Sequence, residues 1–244
     1  IARRGDALRL FRSDDCLIEA NTIEDGRDAL LWYSNRVIVR NNTSRRNRYG
    51  FHMMYANEVT LEGNTVTDNS VGIYLMYGKK FKVAGNRLLR NRGPSGYGIG
   101  LKEVDQYDIR DNDLAANRVA IYIDGSPFTR RAGAASITRN NFACNDIGLA
   151  LLPAVKGNAI HENNFIDNIE QLAVLGRGAI PAIRPEPKFS DANPLMAPVA
   201  VRLAGGDDLN SRRGLLVAAV GMLASAAGIF GIAFASLRNP GGGV

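Results

Sequence analysis

The chain has 244 residues, 45% of them hydrophobic, with two cysteines and a formal net charge of +6. That length suits one elongated domain, and its positive charge comes from scattered arginines rather than a basic module, so no nucleic-acid partner is expected. Cys16 and Cys144 fall in the first and sixth copies of a repeat, about 24 Å apart at ~4.8 Å per copy, beyond disulfide reach. Both are read as small core residues, and cysteine usage therefore reports no redox compartment.

The chain opens at Ile1 with neither an initiator Met nor a signal-peptide pattern, so Ile1 is not read as the natural start. From Leu8 to Asn168 one phrase recurs: a small residue, an alternating apolar run, a short turn, a second alternating run, then Asn. The anchoring residues are Asn21, Asn42, Asn64, Asn86, Asn112, Asn141 and Asn164. A repeat of this length cannot bury its apolar face alone, so successive copies must stack. Each copy holds two period-2 runs and reads as strand, turn, strand. The fold class is all-β: a right-handed parallel β-helix of about seven coils, 21–29 residues each, over residues 1–176. The asparagines are expected at coil corners, capping backbone groups and tolerating left-handed geometry.

Within the first strand of each coil, two alternate positions face the core: Leu8 and Leu10, Ala29 and Leu31, Phe51 and Met53, Ile73 and Leu75. The residues between and after them face outward, and they are not an ordinary solvated set. They are Arg9 and Phe11, Leu30 and Trp32, His52 and Met54, Tyr74 and Met76, then Gly100 and Lys102, Tyr122 and Asp124. An exposed apolar stripe marks an interaction surface, here carried by Phe11, Leu30, Trp32, Met54, Tyr74 and Met76. Arg45, Arg46 and Arg48 crowd one turn and read as a solvated corner before an acidic-partner site. His161 stands alone and reads as a solvated corner.

The C-terminal quarter changes character. Residues 177–213 are rich in proline and glycine, and residues 214–237 form a 24-residue run without a charge. As a helix that run is ~36 Å long, enough to cross a bilayer, and small residues such as Gly221, Ala224, Gly228 and Gly231 suit close helix packing. A membrane anchor is expected there, with a short tail at 238–244. The arginines flanking it, Arg212 and Arg213 before and Arg238 after, leave its orientation open.

Several runs resemble the NosD family. They are Arg48-Tyr-Gly-Phe-His-Met-Met-Tyr55, Asn69-Ser-Val-Gly-Ile-Tyr-Leu-Met-Tyr77, Gly93-Pro-Ser-Gly-Tyr-Gly-Ile-Gly-Leu-Lys102 and Asn117-Arg-Val-Ala-Ile-Tyr-Ile-Asp-Gly-Ser-Pro127. The resemblance covers most of residues 5–198. It implies a periplasmic β-helix protein, not an enzyme, needed to mature the copper–sulfide cluster of nitrous oxide reductase. It further implies an ABC transporter (ATPase and membrane subunits) and a copper-chaperone lipoprotein as partners.

If copper meets this chain, residue chemistry says where. Cu(I) prefers thioether and imidazole donors. His52 and Met54 share one outward face, about 6–7 Å apart, and Met76 stacks on Met54 one coil on, at ~4.8 Å. His52, Met54 and Met76 are therefore the metal candidates for a transient Cu(I), against the plainer reading of the same patch as a docking face. The alternative is a carbohydrate-binding or polysaccharide-modifying β-helix anchored to the membrane. Such chemistry needs paired carboxylates or a base beside a cation. The only outward acid–base neighbours are Lys102 and Asp124, which a cross-strand ion pair explains.

Overall fold

The computed structural model describes residues 4–128, 135–152, 155 and 157–175. Every element in them is a β-strand, and the strands build three parallel sheets. The first sheet stacks Leu8–Phe11, Asp28–Trp32, Tyr49–Met54, Val71–Met76, Tyr97–Lys102, Val119–Asp124, Ile147–Leu151 and Glu170–Val174 in chain order. Each coil adds one strand to each sheet, giving a parallel β-solenoid of seven coils and the first strand of an eighth. Two strands per coil were expected and three are found. The third is three residues long and directly follows the corner Asn, as in Thr22–Glu24 and Thr65–Thr67. Only its middle residue (Ile23, Ser44, Val66, Leu88) faces the core, too short a run for alternation to register.

The expected inward ladders are present in register. Leu31, Met53, Leu75, Leu101 and Ile123 lie one above another and are fully buried. Identical spacing of branched and long apolar side chains in a dry cylinder supplies the main driving force for stacking.

The asparagine ladder follows a different path at its C-terminal end. It runs Asn21, Asn42, Asn64, Asn86, Asn112, Asn140 and Asn163, not through Asn141 and Asn164. Two adjacent asparagines made the choice invisible in sequence. Asn141 and Asn164 begin the next strands, where Asn164 donates to Asn141 and Asn141 to Asp113. A second ladder, Asn47, Asn69, Asn91, Asn117, Asn145 and Asn168, lines the next corner. Along both, the Oδ1 accepts the backbone N–H of the Asn one coil earlier and, except at the Asn47–Asn69 step, its Nδ2–H as well; Asn47 Nδ2 donates instead to Ile23 O and Ser44 Oγ. Asn86 Oδ1, for example, lies 3.0 Å from Asn64 N and 2.9 Å from Asn64 Nδ2. The left-handed conformation belongs to the residue before each Asn, such as Asn41, Gly63, Gly85 and Asp111. The amide therefore does not occupy the left-handed turn itself. It sits inside the turn and satisfies the groups the turn strips from the ladders.

Between coils one and two the surface is stitched by arginines to carboxylates one coil earlier: Arg36 to Asp15 (2.6 Å), Arg40 to Glu19 (2.7 Å), Arg45 to Glu24 (2.5 Å) and Arg46 to Asp25 (2.6 Å). Hydrogen bonds from these arginines hold Asp15, Glu19, Glu24 and Asp25 below the usual carboxylate range. Arg45 and Arg46, with Arg48 on Asp28, are thus committed within the chain. Both cysteines are free and partly buried. Cys16 packs on the core, whereas Cys144 occupies a left-handed corner, where burial pushes its thiol up to about 11.

The expected extension at 177–213, the span at 214–237 and the tail lie outside the described residues. Among the described residues no helix is long and apolar enough to cross a membrane.

Candidate functional site

The outer face of the first sheet carries the outward residues in three columns. The outermost runs Phe11, Trp32, Met54, Met76, Lys102, Asp124. Beside it run Arg9, Leu30, His52, Tyr74, Gly100, Tyr122. The register expected from sequence is the one observed. The third column, Asp28, Tyr49, Val71, Tyr97, Val119, was not foreseen as part of this face.

The third column owes its place to an added residue. Register shifts by one between Asp28 and Leu30 as the second coil meets the third, and Gly50 takes up the extra position. A Cβ on Gly50 would lie 2.6 Å from Gly72 O and 2.7 Å from Val66 Cγ1, so the backbone there passes tight against the core. Such a bulge re-aims the flanking side chain. Tyr49 and His52, three residues apart, therefore share the outer face, with ring centroids 4.9 Å apart.

His52 is the centre of this arrangement and is only 7% exposed. Its Nε2 lies 3.2 Å from Met76 Sδ. Its Nδ1 faces Asp28 Oδ2 at 3.5 Å and makes no well-formed hydrogen bond among the described residues. Tyr49 and Tyr74 wall the ring. Asp28 is 1% exposed and is gripped through both oxygens by Arg48, at 2.8 Å for Nε–Oδ1 and by a second contact from Nη2 to Oδ2. Burial pushes the Asp28 carboxyl up, but His52 and the Arg48 guanidinium outweigh it and hold it below its ordinary value.

Of the three metal candidates, His52 and Met76 are in direct contact, and Met54 lies beside Met76 in register. An imidazole nitrogen and a thioether sulfur converging in a half-dry cleft suit a soft monovalent cation such as Cu(I). No group of three His, Cys, Asp or Glu residues able to hold a metal is found among the described residues. His161 is exposed, its Nδ1 3.4 Å from Glu162.

The docking candidates divide. Phe11 is 48% exposed, and Trp32, Met54, Tyr74 and Met76 are half-buried, but Leu30 is 7% exposed and packs beneath its neighbours. Its outward position is real, but Arg9 and His52 on either side in the column leave little of it open. Beside the stripe lies an aromatic ladder that sequence reading missed. Tyr33, Tyr55 and Tyr77 occupy left-handed corner positions and stack with centroids 5.0 Å apart, and Trp32 stacks on Tyr33 at 5.6 Å. Their 22-residue spacing was the available signal. Arg9 lies over Trp32, Arg12 over Phe11 and Lys102 over Tyr77, so cations rim the stripe. Lys102 thus turns to Tyr77, and Asp124, its register neighbour and expected partner, acts on it through charge without a close ion pair.

Farther along the same face the outer surface closes over. Val71, Tyr97, Val119, Tyr122, Ile147, Ala150 and Ala173 form a second buried apolar cluster outside the cylinder. Tyr97 and Tyr122 stack at 4.4 Å, and burial pushes the Tyr97 hydroxyl up to about 12.

The family model for NosD, described as a periplasmic copper-binding protein, matches residues 1–179. The chain belongs to the NosD family. No curated protein and no solved structure matches it. Membership of this periplasmic copper-binding family agrees with the resemblance carried by the His-Met-Met-Tyr and Gly-Pro-Ser-Gly-Tyr-Gly phrases.

Proposed function

We propose that this NosD chain is a non-enzymatic periplasmic accessory protein in copper-site maturation of nitrous oxide reductase, offering the outer face of coils one to four to a copper-bearing partner. The observation that carries the proposal is the convergence of His52 Nε2 and Met76 Sδ at 3.2 Å, inside an aromatic stripe. Two soft donors suit transient capture of Cu(I), and too few of them for a closed structural site suits release. Copper is cargo here rather than a resident cofactor. Trp32, Phe11 and the tyrosine ladder supply rigid contact area of the kind protein interfaces favour.

In this reading the chaperone lipoprotein or the reductase docks on the stripe. The transporter's ATPase and membrane subunits hold the β-helix at the inner membrane, with residues 214–237 as an anchor. Stacking of the tyrosines against one another argues against the carbohydrate alternative. Their faces are spent on each other at 5.0 Å, which leaves edges rather than faces for a sugar ring.

The test is co-purification of the tagged full chain from denitrifying cells, with and without Trp32→Ala and Met54→Ala. Recovery of an ABC transporter and a copper chaperone by the unmodified chain, lost on altering the stripe, is the expected result. Recovery of neither by the unmodified chain would sink the docking role.

A further inference from the structure

We infer that Asp28, braced by Arg48, is a positioning residue for the donor pair. It holds His52 as the Nδ1–H tautomer, so that the lone pair of Nε2, and not a proton, faces Met76 Sδ. This rests on reading the His52–Met76 contact as a Cu(I) site.

A neutral imidazole has one N–H and one lone pair, and its surroundings choose which nitrogen carries which. At His52 the two sides differ sharply. Nδ1 faces a carboxylate that is 1% exposed and gripped through both oxygens by the Arg48 guanidinium. Nε2 faces a thioether sulfur, a weak acceptor, at 3.2 Å. With the proton on Nε2, the tautomer would gain a weak N–H···S contact and set the Nδ1 lone pair against a buried negative charge. With the proton on Nδ1, the N–H dipole points at a negatively charged oxygen 3.5 Å away, an attraction that needs no formed hydrogen bond. Both comparisons favour Nδ1–H.

That choice leaves two lone-pair atoms, Nε2 and Sδ, pointed at each other with no proton between them. Such a juxtaposition is repulsive when empty and is relieved by a soft cation. Histidines that bind metals characteristically have their other nitrogen tied to a carboxylate, and Asp28 stands at that position.

Asp28 cannot drift from the task. Arg48 grips both oxygens, and the Arg48 guanidinium itself lies 4.5 Å over the Tyr49 ring. Tyr49 in turn packs edge-on against His52. The chain Arg48–Asp28–His52–Met76 thus spans coils two to four across the outer face.

The chain has two histidines, His52 and His161. With 15N-histidine labelling, the metal-free full chain gives two imidazoles, assigned by His161→Gln. Long-range proton–nitrogen correlation at about pH 8, above the ordinary imidazole range, reads the tautomer directly. The expected result is Nδ1–H at His52. Asp28→Asn is expected to move the proton to Nε2 and weaken Cu(I) competition against a chromogenic chelator by about 10- to 100-fold. Met76→Ala is expected to lose Cu(I) and keep the tautomer.

An Nε2–H tautomer in the unmodified chain overturns the inference, and that measurement needs no variant to fold. Asp28→Asn leaving tautomer and affinity both unchanged overturns it equally. Unchanged Cu(I) affinity in both His52→Ala and Met76→Ala would instead remove the copper reading, while the tautomer spectrum still reports what Asp28 does.

Discussion

Coils two to four and coils five to seven share one backbone frame, the same two asparagine ladders and the same inward columns, yet their outer faces differ. In coils two to four the first sheet shows Trp32, His52, Met54, Tyr74 and Met76 around a buried Asp28 held by the half-exposed Arg48. In coils five to seven the same columns hold Gly100 and then Tyr97, Tyr122, Val119, Ala150 and Ile147, the last five closed into a buried apolar cluster. The frame therefore sets spacing and direction, and the chemistry is written in the outward residues of a few coils. A solenoid tolerates this division because each coil contacts only its neighbours.

The shared frame predicts the largest effect. Asn86 is fully buried, accepts from Asn64 and donates to Leu61 O at 2.9 Å and Asn112 Oδ1 at 3.0 Å. Asn86→Ala leaves several buried polar groups unmet and is expected to cost about 3 kcal/mol or more in urea unfolding, at ~1–3 kcal/mol per orphaned group. A cost near zero would show that the ladder does not hold the coils. The local chemistry comes next. His52→Ala combined with Met76→Ala is expected to weaken Cu(I) competition by at least roughly 100-fold, the upper end seen for outer partners of metal sites. Ala150→Ser, on the closed part of the face, should leave it unchanged, and equal loss in both would erase the contrast between the two regions.

Gly98→Val tests the frame from inside. An added Cβ would meet Ala120 O at 2.7 Å, so a loss of about 1–3 kcal/mol is expected by thermal melting. A neutral result would mean the backbone yields there. Acid titration probes the stitched end. Asp15, Glu19, Glu24, Asp25 and Asp28 have folded values below their ordinary ones, near 3.8 for Asp and 4.5 for Glu. Their contribution is full above those ordinary values and is lost as pH falls through the lowered folded ones. Unfolding midpoints should therefore hold steady down to about pH 5 and drop below pH 4. Midpoints rising on acidification would contradict the sign. The smallest effect is Phe11→Ala. The ring is exposed, so stability should change by less than about 1 kcal/mol, even as recovery of a docking partner falls. A large loss of stability would make the stripe structural.

Much of this was legible in the chain. Period-2 alternation around Leu31, Met53 and Leu75 places those side chains inside and His52, Met54 and Met76 outside, because a strand leaves no other choice once one face is buried. The family phrases lie in the same strands. The neighbouring asparagines Asn140 and Asn141 show the limit: two identical residues side by side carry no signal for which enters the corner, and only the cross-coil hydrogen bonds decide. The three-residue third strands carry one inward residue each, below what any periodicity can detect.

Composition and repeat length by themselves determined a stacked parallel solenoid, the inward and outward sets and the column register, because these follow from strand geometry and the need to bury apolar faces. Only the tertiary structure decided that Tyr49 shares a face with His52, since a bulge at Gly50 breaks the alternation that sequence reading depends on. Tertiary structure also decided that Asp28 backs His52 across adjacent coils and that Tyr33, Tyr55 and Tyr77 stack at left-handed corners. The tyrosines' 22-residue spacing hints at a column, but the stacking itself and the Asp28–His52 contact depend on backbone conformations set by neighbouring coils.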